Sequence, residues 1–128
     1  MNNRSLDWLN QTESDLRWAH DTLKSGHFSQ ACFIAQQIGE KALKALALSR
    51  GVLSVRSYSI LQIAQELGIN GELEKAAKLL DQYYIATRYP DAFAGGAPFQ
   101  YFVHDQAKEA IVLAELILSF VKGSIAIP

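Results

Sequence analysis

Apolar residues recur along this chain at three- and four-residue steps, the spacing that lines one face of a helix. Leu9, Thr12, Leu16, Ala19 and Leu23 make the first such stripe. Ser5 is placed to cap it, Trp8 and Trp18 widen its buried face or sit at its edge, and Asp7, Glu13 and Asp21 face water. Gly26 ends the element in the turn Ser25-Gly26-His27. A second helix is predicted from Phe28 to Ser49. Its small residues Ala31, Ala35, Gly39 and Ala42 allow close helix approach and mark it as the central helix of a bundle. Its polar positions Gln36, Gln37, Glu40, Lys41 and Lys44 fit a solvated stripe or a functional one equally, with Glu40 and Lys44 spaced for an i,i+4 pair.

After Arg50-Gly51 a connector, Val52 to Arg56, leads to a shorter helix from Tyr58 to Leu67, with Ser57 as its N-cap. Asn70-Gly71 is a turn, Asn70 is placed to cap a fourth helix, and Pro90 ends that helix near Arg88. Along it Leu73, Ala76, Ala77, Leu80 and Tyr84 point inward, while Glu74, Lys75, Lys78 and Asp81 point out. A loop with two prolines, two glycines and two phenylalanines follows, from Tyr89 to Gln100. The last helix, from Phe102 to Lys122, has Val103, Ala107, Ala110, Ile111, Ala114, Ile117, Leu118 and Val121 on its core face. Val112, Leu113, Leu116 and Phe120 make it apolar nearly all round, which predicts deep burial or a subunit interface and hence a homodimer. No alternating pattern suggests strands. The expected fold is all-α, an up-and-down helical bundle of four long helices plus a short helix, in one domain over residues 1–128.

Composition narrows the function classes. A chain of 128 residues buries roughly two thirds of its unfolded surface, and 49% apolar with 20% charged residues fits a globular domain. A formal net charge of −1 excludes nucleic-acid binding by bulk positive charge, but leaves room for a local basic patch. A single cysteine, Cys32, excludes an internal disulfide and suits a reducing, cytoplasmic setting. Asn2-Asn3-Arg4 lacks the form of a secretory signal, and the apolar run 110–121, interrupted by Glu115 and Ser119, is too short to span a membrane.

Neither a metal nor a cofactor is indicated. His20 and His27 lack a completing ligand set, and Gly95-Gly96 is not followed by the Lys-Ser/Thr of a phosphate loop. What remains is Tyr83, Tyr84, Arg88, Tyr89 and Asp91, with Phe93, Phe99, Tyr101 and Phe102 nearby. Tyr84 and Arg88 are four apart, on one face of a helix. Arginine forks onto phosphate oxygens and aromatic rings stack on bases, so this group suits a nucleotide. It equally suits an Arg88–Asp91 ion pair that fastens the loop while the tyrosines fill the core.

Trp8, Asp15-Leu16, the run Gln36-Gln37 with Glu40-Lys41-Ala42-Leu43-Lys44, and Arg88-Tyr89-Pro90-Asp91 together resemble the HEPN family, the higher-eukaryote and prokaryote nucleotide-binding domains, in its small stand-alone prokaryotic form. The resemblance spans nearly the whole chain. It implies a helical bundle, usually dimeric, often encoded beside a minimal nucleotidyltransferase, in a family of ribonuclease toxins, nucleotide binders and inactive relatives. By that resemblance the nucleotide- or RNA-binding surface comprises Gln37, Glu40, Lys41, Lys44, Tyr58, Tyr84, Arg88, Tyr89 and Asp91. Ribonuclease members carry a His five to seven positions after the Arg, where this chain has Phe93, Ala94 and Gly95. Relatives also often start the third helix with His, where Tyr58 stands here. The expectation is therefore a binding module for a nucleotide, RNA or a nucleotidyltransferase partner. The alternative is a metal-independent ribonuclease of a toxin–antitoxin pair, using Arg88 with His104 or a tyrosine, and a third is a partner that the nucleotidyltransferase modifies on a tyrosine.

Overall fold

A computed structural model describes residues 4–52 and 57–125. Among the described residues six α-helices follow in chain order: α1 (Arg4–Lys24), α2 (Phe28–Ser49), α3 (Ile60–Glu66), α4 (Glu72–Asp81), α5 (Tyr83–Ala86) and α6 (His104–Ser124). Short 3-10 turns at Pro90–Ala92 and Pro98–Gln100 shape the long loop, and the described residues contain no strand. The all-α bundle expected from the periodicity is present. The connector's residues 53–56 lie outside the described residues.

The second helix is the hub: it packs against all five others. Ala31, Ala35, Ala42 and Ala45 are buried on it, so neighbouring backbones come close. At Gly39 the side-chain tips of Ile60, Leu80 and Ile117 converge to 3.0, 3.2 and 3.4 Å from where a Cβ would stand. Three helices therefore meet α2 at one point that only glycine leaves open. Around it Ile38, Leu46, Ile63 and Ile111 are fully enclosed, each stabilising the fold by about 1.5–3 kcal/mol through burial.

The element boundaries depart from the local signals in four places. Ser5 lies inside α1 and is buried, so it is not the cap of that helix. Ser59, not Ser57, caps α3, its hydroxyl accepting from Gln62 N at 3.1 Å. Gly71, with φ 73° and ψ −136°, opens α4 in place of Asn70, because that backbone region is open to glycine. The predicted fourth helix is split at Gln82, whose N–H donates to Leu79 O, one residue short of the α-helical partner. Tyr89 is extended, as the proline behind it demands.

Asp81 corrects the sequence reading more sharply. It does not point out: its carboxylate accepts from Ile60 N at 2.7 Å, Leu61 N at 3.0 Å and Ser59 Oγ at 2.8 Å. A residue of α4 thus satisfies the open end of α3. Val103, expected in the core, is the exposed residue before α6, because the helical face begins only beyond it. Ala107, Ala110, Ile111, Ala114, Ile117, Leu118 and Val121 are buried as expected.

Cys32 is fully enclosed, and burial pushes its thiol from 9.0 up to about 12. The folded state keeps the proton where the unfolded chain releases it. The stability this contributes is complete below about pH 9 and is lost as pH rises toward 12. A thiol reagent at pH 8 is therefore expected to label Cys32 only in denaturant, and Cys32→Ala to flatten the fall in unfolding free energy between pH 9 and 11.

Candidate functional site

The polar stripe of α2 is not solvated. Gln36, Glu40 and Lys44 are 0%, 5% and 9% exposed. A stripe with this composition stays buried only because its members satisfy one another. Gln37 Nε2 donates to Gln36 Oε1 at 2.8 Å, Gln36 Nε2 to Glu40 Oε1 at 3.3 Å, and Lys44 Nζ to Glu40 Oε2 at 2.9 Å. Beside this chain Lys41 Nζ meets Asp15 Oδ2 at 2.7 Å, and Gln11 Nε2 holds the other oxygen of that carboxylate at 3.0 Å. Helix α1 therefore closes over the stripe with a partner for its outer lysine.

A band of rings and cations lies along the outer edge of this network. Lys44 Nζ stands 5.8 Å from the Trp8 ring and 5.3 Å from the Tyr58 ring. Tyr58 stacks on Tyr84 with centroids 5.7 Å apart. The Arg88 guanidinium is 4.8 Å from Tyr84, 4.4 Å from Phe33 and 5.0 Å from Tyr89. Trp8, Lys44, Tyr58, Tyr84, Arg88 and Tyr89 thus form one continuous series. With Lys41 beside the series, three cations, Lys41, Lys44 and Arg88, accompany two carboxylates, Asp15 and Glu40, which leaves a local positive charge on a chain of net charge −1.

Arg88 is held by a backbone carbonyl and not by an ion pair. Its Nε and Nη2 donate to the Tyr84 carbonyl at 3.0 and 2.9 Å, closing the turn after α5. No Arg88–Asp91 pair forms; Asp91 is exposed on the 3-10 turn behind the proline. These bonds use two of the five guanidinium N–H groups, and the other three, including both on Nη1, make no hydrogen bond among the described residues. Three rings, Phe33, Tyr84 and Tyr89, lie within 5.0 Å of the group. Tyr83 turns the other way, edge-on to Phe102 at 5.9 Å, and burial raises its hydroxyl's pKa.

Most of the sequence-derived surface comes together: Gln37, Glu40, Lys41, Lys44, Tyr58, Tyr84, Arg88 and Tyr89 share this band, and Asp91 stands apart. His104, the first residue of α6, packs edge-on against Phe28 at 5.7 Å, with Nδ1 3.3 Å from Asp105. Arg88 packs on Phe33, five residues further along α2, a separation of about 7.5 Å along the helix axis. Phe33 and Gln36 are not among the site residues expected from the sequence; Gln36 stands in the polar stripe and in the resemblance, and only packing joins Phe33 to Arg88. Trp8 and Asp15 were part of the family resemblance, and only the packing of α1 on α2 joins them to the band.

The family model described as HEPN domain matches residues 5–124. The chain belongs to the HEPN family. Three solved structures are similar to this HEPN domain over nearly their whole length. The crystal structure of TT1696 from Thermus thermophilus is 42% identical with a TM-score of 0.91, covering 96% of this chain and 99% of that one. ST0689, an archaeal HEPN homologue, is 36% identical with a TM-score of 0.86, covering 98% and 100%. A curated relative, the candidate toxin MJ1304 of Methanocaldococcus jannaschii, is 27% identical over 127 residues, 90% of this chain and 84% of that protein. No helix among the described residues of this HEPN domain is long and apolar enough to cross a membrane.

Proposed function

We propose that this HEPN domain binds a nucleotide, with the phosphate on Arg88 and the base stacked on the exposed rings of Tyr58 or Tyr89. The observation that carries this reading is the state of Arg88: exposed, pinned to the Tyr84 carbonyl, flanked by three rings, and left with three N–H donors. A guanidinium already fixed in plane loses little entropy when it forks onto a phosphate. Tyr58, 62% exposed, is joined to it through the Tyr84 ring.

Isothermal titration with AMP and GMP tests the reading. Arg88→Ala is expected to weaken binding about tenfold or more, the loss of roughly 1.5–3 kcal/mol for a hydrogen bond to a charged group. Arg88→Lys, which keeps the charge but not the fork, is expected to fall between the two. Wild-type protein that binds neither nucleotide overturns the proposal. Similarity to a candidate toxin favours a second reading, a ribonuclease using Arg88 with His104 or a tyrosine. RNA cleaved in chelator by the wild type, and spared by Arg88→Ala and His104→Ala, would establish it in place of simple binding.

The domain is proposed to act as a homodimer through α6. Val112 is 54% exposed and Leu116 is exposed beside it, with Leu113 and Phe120 half-buried. Apolar side chains grouped on one helix in this way gain from being covered. Light scattering is expected to return twice the 14.2 kDa chain mass, and a monomer at that value rejects the dimer. On the family resemblance, the protein partner is proposed to be a minimal nucleotidyltransferase.

A further inference from the structure

The long loop, residues 89–103, leaves and rejoins the bundle on one stretch of α2. Arg88 before it packs on Phe33, and His104 after it packs on Phe28, about 7.5 Å apart along the helix axis. A surface loop whose ends lie close and whose own side chains pack it is an Ω-loop. Its fastenings are internal. Phe93 stacks on Tyr101 with centroids 4.2 Å apart, the Tyr101 hydroxyl donates to the Gly95 carbonyl, and Ala97 N donates to Gln100 Oε1 at 2.8 Å. Gly96, at φ 78°, lies against the same ring, and a Cβ there would stand 3.2 Å from Tyr101 Cε2. Pro98 is buried, and Phe102 fixes the far end in the core. Phe99 takes no part in these ties. It is 67% exposed, more than any other large apolar side chain among the described residues.

We infer that this loop docks a protein partner by seating Phe99 in an apolar pocket rimmed with lysine or arginine. The inference is separate from the Arg88 band and from the dimer face on α6. A ring held out by a loop that is already fixed gains burial on binding with little ordering cost, and such aromatic anchors carry much of an interface's affinity. Charge selects the partner. Asp91 stands two residues before Phe93, and Asp105 and Glu109 follow on the first two turns of α6, all exposed, with only Lys108 against them. Arg88, at the loop's entry, is turned back onto the Tyr84 carbonyl and Phe33. Three carboxylates to one ammonium repel a phosphate backbone or an anionic bilayer and attract a basic rim.

The test places the photo-crosslinker p-benzoylphenylalanine at position 99 of the full chain, with position 18 as a control, in cells of the native host. Phe99 and Trp18 are both exposed, so neither change reaches the core. Ultraviolet light is expected to join one protein to position 99 and not to position 18, and mass spectrometry identifies it. That protein is then purified and titrated with the chain. Phe99→Ser is expected to weaken the complex about tenfold or more, and Phe99→Leu, which still fills an apolar pocket, by about threefold or less. Asp91→Asn with Asp105→Asn is expected to slow association about threefold at low salt. No adduct at position 99, an adduct with RNA or with a second copy of this chain, or a purified partner that binds Phe99→Ser as tightly as the wild type overturns the docking site. Association unchanged by the two asparagines overturns the basic rim and with it the partner chemistry.

Discussion

Glu40→Ala is expected to lower the unfolding free energy by about 3 kcal/mol, a large share of a domain's usual 5–15 kcal/mol. On an exposed helix an i,i+4 pair of this kind contributes only about 0.2–0.5 kcal/mol. Here both members are nearly enclosed, with Lys44 Nζ 2.9 Å from Glu40 Oε2. Removing the carboxylate leaves a buried ammonium without its counter-charge and the Gln36 amide without its acceptor. Breaking one side of a buried pair costs about 3–5 kcal/mol, and the two rings facing Lys44 return some of that. Replacing both, as Glu40→Leu with Lys44→Met, is expected to be close to neutral, since the desolvation of both charges is relieved together. Urea titrations of the two single variants and the double variant measure the coupling. A Glu40→Ala cost below about 1 kcal/mol would mean that water reaches the pair.

Asp81→Ala is expected to destabilise the fold by about 2–3 kcal/mol and to loosen α3 beyond that average. Two backbone N–H groups and the Ser59 hydroxyl end on this one carboxylate. A seven-residue helix cannot hold itself in water, so α3 depends on this tie and on burying Ile60, Ile63 and Ala64. Native-state hydrogen exchange should show the amides of Ile60 and Leu61 losing protection first. Tyr58 enters its stack on Tyr84 from the residues just before α3, so nucleotide affinity is expected to fall in the same variant. Asp81→Asn, which keeps an acceptor but not the charge, should lose about half as much. Unchanged exchange at Ile60 and Leu61 in Asp81→Ala would show that the cap does not hold the helix.

Sequence patterns located the helices well where a signal is local. The stripe of small residues marked α2 as central and its bounds, Phe28 to Ser49, match the structure. Pro90 put Tyr89 in an extended conformation. Helix ends were less legible, because a cap can be supplied from elsewhere: Asp81 serves α3 from 21 residues away, and no spacing rule reaches that far. The split at Gln82 falls in a run without proline or glycine, so nothing in the sequence announces it.

The candidate site divides in the same way. Residue types alone assembled Tyr84, Arg88 and Tyr89, since they lie within six positions and share one turn. The same types left two readings of Arg88, and the Tyr84 carbonyl, not Asp91, turned out to hold it. In the sequence the stripe Gln36–Lys44 fits a solvated face as well as a functional one, because polar residues on a helix usually face water. Its burial depends on what packs over it, and that is α1 with Trp8 and Asp15. From sequence alone came the all-α bundle, its central helix and an arginine among aromatics. Only tertiary packing made that arginine part of a continuous band, because the rings and carboxylates that complete it come from helices distant in the chain. Burial also raised the energy at stake in each pair by removing the water that would otherwise have screened it.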